Sequence, residues 1–340
     1  MSDLATLDAP LQLGGVTLAN RVFLAPMSGV TDLPFRKRAH DHGAGLVVSE
    51  MGASGELAKG RADTASRIRH SGLSVHMVQL AGREPAPMAE AARIAVGEGA
   101  DIIDINMGCP AKKVTGGYAG SALMRDLDFA VTLIDAVVAA VAVPVTLKMR
   151  LGWDEGALNA PMLARRAENA GVSMVTVHGR TRCQFYQGKA DWRAIRRVKD
   201  AVRVPVVANG DVTTAADAAG MLAVSRADAV MIGRAHYGAP WTAGQIAAAA
   251  AGRPFAPPRD EALMDYVVAH YEDMLSHYGV ERGLRHARKH LGWYLDRHAQ
   301  GLDPALRAAA VTAHDPRSAI AALRSAFAAG EALPALRKTA

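Results

Sequence analysis

The sequence predicts an α/β fold, a (β/α)8 TIM barrel followed by an all-helical domain at the C-terminal end. Eight short apolar runs rich in Val, Ile and Leu recur through the first two thirds of the chain, as parallel strands buried on both faces require. Alanine-rich stretches with helical spacing separate these runs. After residue 258 only helical patterns remain.

The predicted elements follow one another in a regular order. Residues 11–18 turn about Gly14 and Gly15, which predicts a small β-hairpin ahead of the barrel. The barrel strands are predicted at residues 22–25, 46–49, 75–80, 102–106, 145–148, 174–178, 206–209 and 229–232. The clearest helices between them are predicted at residues 87–98, 129–141 and 160–170. Such alternation forms parallel βαβ units, whose carboxyl ends meet at one face of a barrel.

A proline-rich segment, residues 252–258, separates the barrel from a tail with a different pattern. Helices are predicted in the tail at residues 261–277, 281–298, 304–310 and 316–328. We therefore expect two domains, a catalytic barrel over residues 1–250 and a helical domain over residues 259–335. The second tail helix has an apolar stripe, with basic side chains opposite it; the stripe comprises Leu284, Ala287, Leu291 and Leu295.

The composition limits the class of protein. The net charge is +6, which by itself fits a solvated basic surface as well as a polyanionic partner. No basic segment followed by an apolar one opens the chain, and the longest apolar run, residues 136–145, is half a membrane span. Cys109 and Cys183 have neither disulfide-framework nor metal-ligand spacing. We expect a cytoplasmic protein with no membrane segment and no metal.

The segment Asn-Met-Gly-Cys-Pro-Ala-Lys-Lys at residues 106–113 is the most informative stretch of the chain. It places Cys109 where a buried strand ends and a long, Gly-rich loop begins, which is a common position for catalytic groups. A thiol there can donate a proton, attack an electrophile or simply pack. Lys112 and Lys113 indicate a polyanionic ligand nearby.

Polar residues concentrate at the predicted carboxyl ends of the strands, and this concentration predicts an active site. Asn209-Gly210-Asp211 and Gly233-Arg234 follow the last two strands, where many barrels bind phosphate; the alternative is two glycine turns beside a surface arginine. Lys148 needs an anionic partner at the end of a buried strand. It could stabilise the N1–C2=O edge of a reduced flavin, form a Schiff base, or sit in a structural salt bridge. Gln79 could bond a flavin amide edge, and His178 and Arg180 could bind phosphate or substrate.

Several of these residues lie in short sequence motifs that resemble those of the tRNA-dihydrouridine synthase family, most closely its bacterial B-type branch. The matching motifs cover nearly the whole chain in the family's order. They lie at residues 25–27, 104–114, 120–123, 145–148, 178–182, 208–211, 231–234 and 287–294. The motif that contains Cys109 is the most specific of them.

The resemblance implies an enzyme that uses FMN, with NADPH or NADH as reductant, to reduce the C5=C6 bond of a D-loop uridine in tRNA. It implies that Cys109 donates the proton to C5; thiols are neutral near pH 7 and suit this role. The implied cofactor-binding residues are Pro26, Met27, Ser28, Gln79, Lys148, His178, Asn209, Gly210, Asp211, Gly233 and Arg234. We assign substrate binding to Asn106, Lys112, Lys113, Arg150, Arg180, Arg285, Arg288 and Lys289. We expect a monomer that binds tRNA.

Two other functions stay open at this point. One is an FMN barrel that acts on a free pyrimidine, like dihydroorotate dehydrogenase; a requirement for intact tRNA would distinguish the two. The other is a non-enzymatic RNA-binding regulator on a barrel that has lost its chemistry, which a yellow, flavin-containing preparation would argue against.

Overall fold

The first described β-structure is a hairpin at the base of the barrel. The structure, a computed structural model, describes residues 3–60, 68–69 and 72–337. Strands β1 (Leu11–Leu13) and β2 (Val16–Leu18) pair antiparallel about Gly14, whose φ of +54° suits the turn. Leu11, Leu13 and Leu18 are buried against residues that fill the barrel interior, such as Phe23. The predicted hairpin is therefore confirmed, and it closes the lower end of the barrel.

Nine parallel strand segments form the barrel wall, and their bounds are β3 (Val22–Leu24), β4 (Leu46–Val47), β5 (Gly52–Ala53), β6 (Met77–Ala81), β7 (Ile102–Met107), β8 (Val145–Arg150), β9 (Met174–His178), β10 (Val206–Asn209) and β11 (Ala229–Ile232). Their order is β4-β3-β11-β10-β9-β8-β7-β6-β5. Because β4 and β5 belong to one stretch of chain and Val48 bridges to Met77, the sheet closes on itself. The predicted eight-stranded barrel is thus confirmed, with its second strand interrupted.

Several strand ends differ from prediction by one or two residues. β8 continues to Arg150, where it pairs with His178 of β9. β6 starts at Met77 instead of residue 75. The physical reason is that the backbone N–H of His76 donates to the Asp101 carboxylate at 2.7 Å, so a side chain takes the place of a neighbouring strand.

Helices surround the wall, and their bounds are α1 (Leu33–Asp41), α2 (Ser54–Ala58), α3 (Pro85–Gly97), α4 (Lys112–Thr115), α5 (Leu127–Ala140), α6 (Ala160–Asn169), α7 (Trp192–Lys199), α8 (Ala215–Ser225) and α9 (Thr242–Ala250). Polar caps start several of them. Asp126 and Asp191 each accept a backbone N–H from the first turn of α5 and α7, and Thr214 and Asp217 form a capping box on α8. These local signals explain where α5, α7 and α8 begin.

The tail consists of α10 (Asp260–Tyr278), α11 (Val280–His298), α12 (Pro304–Thr312) and α13 (Pro316–Arg337). Ala287, Leu291 and Leu295 of the predicted stripe are buried in a second apolar cluster, which also includes Trp241 of the barrel. Among the described residues, no helix has the length and hydropathy that crossing a membrane demands. The helical C-terminal part is therefore as predicted, and its core also includes Ala239 and Trp241, which directly precede the last barrel helix.

Helix α11 rests on two loops at the carboxyl face of the barrel. Trp293 stacks on Tyr237 with ring centres 3.9 Å apart, and His298 bonds the carbonyl of Gly238 at 2.8 Å. On the other side, Lys289 Nζ lies 2.9 Å from the position that a Cβ on Gly29 would take. The loops after β3 and β11 are thus held between the barrel and the tail.

Gly238→Ala should loosen this contact. Gly238 has a φ of +66°, and an added Cβ would lie 2.8 Å from the carbonyl carbon of Trp293. Gly252 has a similar φ of +65° but open space around it, so Gly252→Ala carries the conformational strain without the clash. We expect denaturant unfolding to place Gly238→Ala about 1–3 kcal/mol below Gly252→Ala. Equal stability of the two variants would show that α11 can shift away from Gly238 without a loss of stability.

Candidate active site

A cavity of about 570 Å³ opens at the carboxyl ends of the strands. It is lined by all eleven predicted cofactor-binding residues and by Cys109, Asn106, Lys113 and Arg150. Four further lining residues, Val30, Phe185, Tyr186 and Tyr237, were not predicted from the sequence. The parallel register therefore brings residues from the carboxyl ends of all eight barrel strands, and from the loops that follow them, to one site.

The side chain of Asn106 organises the loop that carries Cys109. Its Oδ1 accepts the backbone N–H groups of Gly108 at 3.1 Å and Cys109 at 2.9 Å. Its Nδ2 donates to Gln79 Oε1 at 2.7 Å, and Gln79 in turn donates to Asp104 at 2.6 Å. Asn106 was predicted to bind substrate; in the structure its amide is engaged by the protein on both sides.

The chain beyond Cys109 folds back on it instead of forming an open loop. Ser121 donates to the Cys109 carbonyl from its backbone N–H at 3.1 Å and from its hydroxyl at 2.8 Å. Gly120 has a φ of +60°, and an added Cβ would lie 2.9 Å from that carbonyl oxygen, so glycine is needed there. Cys109 is half-buried at the cavity, while Cys183 is exposed and does not line it.

Lys148 and Asn209 form a fixed pair in the cavity. Lys148 Nζ donates to Asn209 Oδ1 at 3.2 Å, and Asn209 Nδ2 donates to the Met231 carbonyl at 2.7 Å. The second bond orients the amide so that its oxygen faces the lysine. Burial and, to a smaller extent, the charge of Arg150 lower the pKa of Lys148 to about 8, against smaller opposing effects of Asp104 and Cys109. A negatively charged ligand beside this ammonium would stabilise its protonated form.

The two predicted glycine turns lie side by side. Gly210 has a φ of +130°, and an added Cβ would lie 2.7 Å from the Ala190 Cβ and 3.0 Å from His178 Cδ2. Trp192 Nε1 donates to the Gly210 carbonyl at 2.8 Å and fixes the turn. Arg234, after the second turn, donates to Asp211 at 3.1 Å and keeps 46% of its side chain exposed. The turns offer close backbone approach and a guanidinium to an anionic group.

Two arginines that we predicted to bind substrate are 1% exposed. Arg150 donates to the carbonyls of Gly108 at 2.9 Å, Thr181 at 2.7 Å and Phe185 at 2.8 Å, and so ties the Cys109 loop to the loop after β9. Arg180 does not line the cavity; it pairs with Asp211 from behind. Both side chains are committed to shaping the site.

His178 is held as a neutral ring. Burial lowers its pKa well below the ordinary value, and the charges of Arg150, Lys148, Arg180 and Arg234 lower it further. Arg180 Nη1 lies 3.3 Å from His178 Nε2, which makes this nitrogen an acceptor.

Tyr186 is the most prominent residue that the sequence reasoning missed. Its side chain is 52% exposed at the cavity mouth, and the guanidinium carbon of Arg234 lies 4.8 Å from its ring centre. The only signal in the sequence was an adjacent Phe-Tyr pair in a chain with 5% aromatic residues.

The remaining predicted substrate residues lie outside the cavity. Lys112 is exposed on α4. On α11, Arg285 pairs with Glu281 at 2.6 Å and Arg288 is exposed. Lys289 reaches nearest, beside Gly29, whose neighbour Ser28 lines the cavity.

The chain is similar to known proteins over most of its length. The family model described as dihydrouridine synthase (Dus) matches residues 23–329. A probable tRNA-dihydrouridine synthase of Rhizobium leguminosarum bv. phaseoli is 59% identical, over 93% of this chain and 98% of the relative. The tRNA-dihydrouridine synthase B of Xanthomonas campestris pv. campestris is 47% identical, over 93% of this chain and 96% of the relative.

Solved structures share the fold at low identity. Morphinone reductase has a TM-score of 0.54 and is 17% identical, over 76% of this chain and 92% of that chain. The crystal structure of TcOYE with pHBA has a TM-score of 0.56 and is 15% identical, over 79% of this chain and 98% of that chain. Together with the matched residues and the cavity, the sequence comparisons settle the family: the chain belongs to the dihydrouridine synthases.

Proposed function

We propose that the protein is a tRNA-dihydrouridine synthase that reduces the C5=C6 bond of a D-loop uridine, with FMN as cofactor and NADPH or NADH as reductant. The observation that carries the proposal is that Cys109, Lys148 and the two glycine turns line one cavity. The relatives of Rhizobium and Xanthomonas bear the same functional name over almost their full length, which supports tRNA over a free pyrimidine as substrate.

The residues of the cavity fit a flavin nucleotide. A Cβ at Gly210 would meet the wall formed by Ala190 and His178, so the backbone there is open only because the residue is glycine. Gly210, Gly233 and Arg234 would hold the phosphate, and Lys148 would face the flavin edge that becomes anionic on reduction. When bound, FMN supplies the hydride for C6 of the uracil ring.

The chain's own part in the reaction is to hold and deliver a proton. Reduction places negative charge on C5 of the ring, and Cys109 is the acid that protonates it. The Asn106 amide accepts from the Cys109 N–H and the Ser121 hydroxyl donates to its carbonyl, so the protein itself holds the backbone that carries the thiol. The uridine has to leave its stack to enter the cavity.

The tail and the cellular setting complete the proposal. Residues 1–250 would be the catalytic domain and residues 259–335 the tRNA-binding domain. The separate apolar cluster of the tail supports this division, although Ala239 and Trp241 of the barrel contribute to that cluster. We propose a cytoplasmic monomer that needs no metal.

Cys109→Ala should slow the formation of dihydrouridine by roughly 10²–10⁴-fold, the usual effect of losing a general acid. Flavin reduction by NADPH should keep its rate, because that step does not involve the thiol. Both rates are measured on the same preparation, by stopped-flow absorbance and by dihydrouridine analysis of tRNA. Cys183→Ala is the matched control and should resemble wild type; a larger loss there than at Cys109 would refute the assignment.

Binding of reduced FMN should weaken as pH rises through about 8. Lys148, with a folded-state pKa of about 8, is charged below this pH and neutral above it. The flavin edge that Lys148 faces becomes anionic on reduction and then binds the charged form of the lysine, so the affinity for reduced FMN is full at lower pH and falls by up to about tenfold per pH unit above it. Anaerobic titration of the apoprotein with reduced FMN across this range measures the effect. Lys148→Met should bind weakly at all pH values, while Lys59→Met, an exposed lysine outside the cavity, should follow wild type. An unchanged pH profile in Lys148→Met would contradict the role.

Changing Arg285, Arg288 and Lys289 together to Gln should raise the KM for tRNA without altering flavin content. If these side chains contact phosphates, the slope of log affinity against log salt should flatten by about one unit per lost contact. A control triple on the barrel surface, Arg193, Arg196 and Arg197 to Gln, removes the same charge from α7. Identical salt slopes for the two triples would mean that the basic face of α11 is only solvated.

A further inference from the structure

Arg180 is a buried arginine whose donors are all used inside the protein. An arginine side chain has five N–H groups. Nε donates to the Gln187 carbonyl at 3.0 Å, and Nη2 donates to the Gly188 carbonyl at 2.7 Å and to Asp211 Oδ2 at 2.6 Å. Nη1 donates to Asp211 Oδ1 at 2.9 Å and lies 3.3 Å from His178 Nε2. No N–H group is left for a ligand, so Arg180 cannot act by touching one.

Asp211 is the partner through which Arg180 reaches the cavity. Its carboxylate takes the two-bond fork of Arg180, the backbone N–H of Ala190 at 2.8 Å and the guanidinium of Arg234 at 3.1 Å. Burial would raise its pKa, but the hydrogen bonds from Arg180 and Ala190 and the two arginine charges lower it, so the group stays ionised. The Asp211 side chain is 28% exposed and lines the cavity between Gly210 and Arg234.

This arrangement places a carboxylate next to the proposed phosphate turns. Unpaired, it would repel a phosphate and hold Arg234 in an ion pair of its own. Arg180 sits behind the carboxylate at 1% exposure and supplies the compensating charge where no ligand can compete for it. Arg234, which contacts Asp211 through a single longer bond, is then free to serve the ligand.

We propose that Arg180 is a positioning residue for the flavin phosphate: by neutralising Asp211 from behind, it removes the repulsion and leaves Arg234 available to the phosphate. The inference rests on the proposed function, since it needs a flavin nucleotide in the cavity. It replaces the substrate-binding role that the sequence predicted for Arg180.

A purely structural role is the competing explanation, because Arg180 also holds the carbonyls of Gln187 and Gly188. The two explanations differ in what repairs the damage. If FMN binding weakens because Asp211 has lost its positive partner, removing the charge of Asp211 should restore it. If it weakens because the loop at Gln187 and Gly188 has lost its support, a change at Asp211 cannot restore it, since both carbonyls remain without the Arg180 donor.

The experiment is a fluorescence titration of apoprotein with FMN and with riboflavin, which lacks the phosphate. Arg180→Gln should weaken FMN binding by about 10- to 100-fold and riboflavin binding by less than about threefold. Arg180→Gln combined with Asp211→Asn should recover FMN binding to within about fivefold of wild type. Arg196→Gln is the matched control, because it removes an arginine from an exposed Arg–Asp pair of 2.7 Å on α7; it should change neither affinity.

Each outcome decides a separate point. Equal weakening for FMN and riboflavin, or no recovery in the double variant, would overturn the inference and favour the structural role. If Arg180→Gln does not fold, Asp211→Asn alone decides: FMN affinity equal to or above wild type supports the charge argument, and a phosphate-specific loss overturns it. If wild-type apoprotein binds neither flavin, the proposed function itself fails, and this result is distinct from all the others.

Discussion

The side-chain amide of Asn106 is the contact on which the catalytic loop depends. A single oxygen accepts two successive backbone N–H groups, those of Gly108 and Cys109, at the point where β7 ends. The carbonyls of the same two residues are taken by Arg150 and Ser121. The loop that carries the thiol therefore has its backbone groups satisfied by fixed neighbours. An unpaired N–H or carbonyl at this depth would cost about 1–3 kcal/mol, so any other loop position is disfavoured.

The tail contacts the loops around the site through side chains on both sides of the cavity. Tyr237 lines the cavity, and its ring stacks on that of Trp293 of α11. On the opposite side, Tyr278 donates to Asp32, which caps α1 just after the Met27 loop, and burial raises the pKa of that carboxyl to about 6. Helices α10 and α11 thus contact two loops that also shape the cavity, and these contacts fix the position of the tail relative to the site.

Sequence reasoning was able to place the site because parallel strands have only one carboxyl face. Gly210, Gly233 and Lys148 were found from their position after apolar runs, and the structure puts them on one cavity wall. The sequence could not predict the direction in which each side chain points. Arg150 and Arg180 follow strands just as Lys148 does, yet they bond carbonyls and Asp211 on neighbouring loops, and those partners are set by tertiary packing. The split of the second strand was equally hidden, since it depends on Val48 pairing with Met77 to close the barrel.

The cavity carries more positive than negative charge. Of the described residues that line it, Lys113, Lys148, Arg150 and Arg234 carry positive charge and Asp211 negative charge. Burial is the leading cause of the lowered pKa values of Lys148, about 8, and Arg150, about 10; repulsion adds to it, from Arg150 on Lys148 and from Arg180 on Arg150. His178 stays neutral because burial and the same positive charges lower its pKa. A site in which cations are held together against their own repulsion is stabilised by an anionic ligand. Ligand binding and the stability of the barrel's upper face are therefore linked through the same charges.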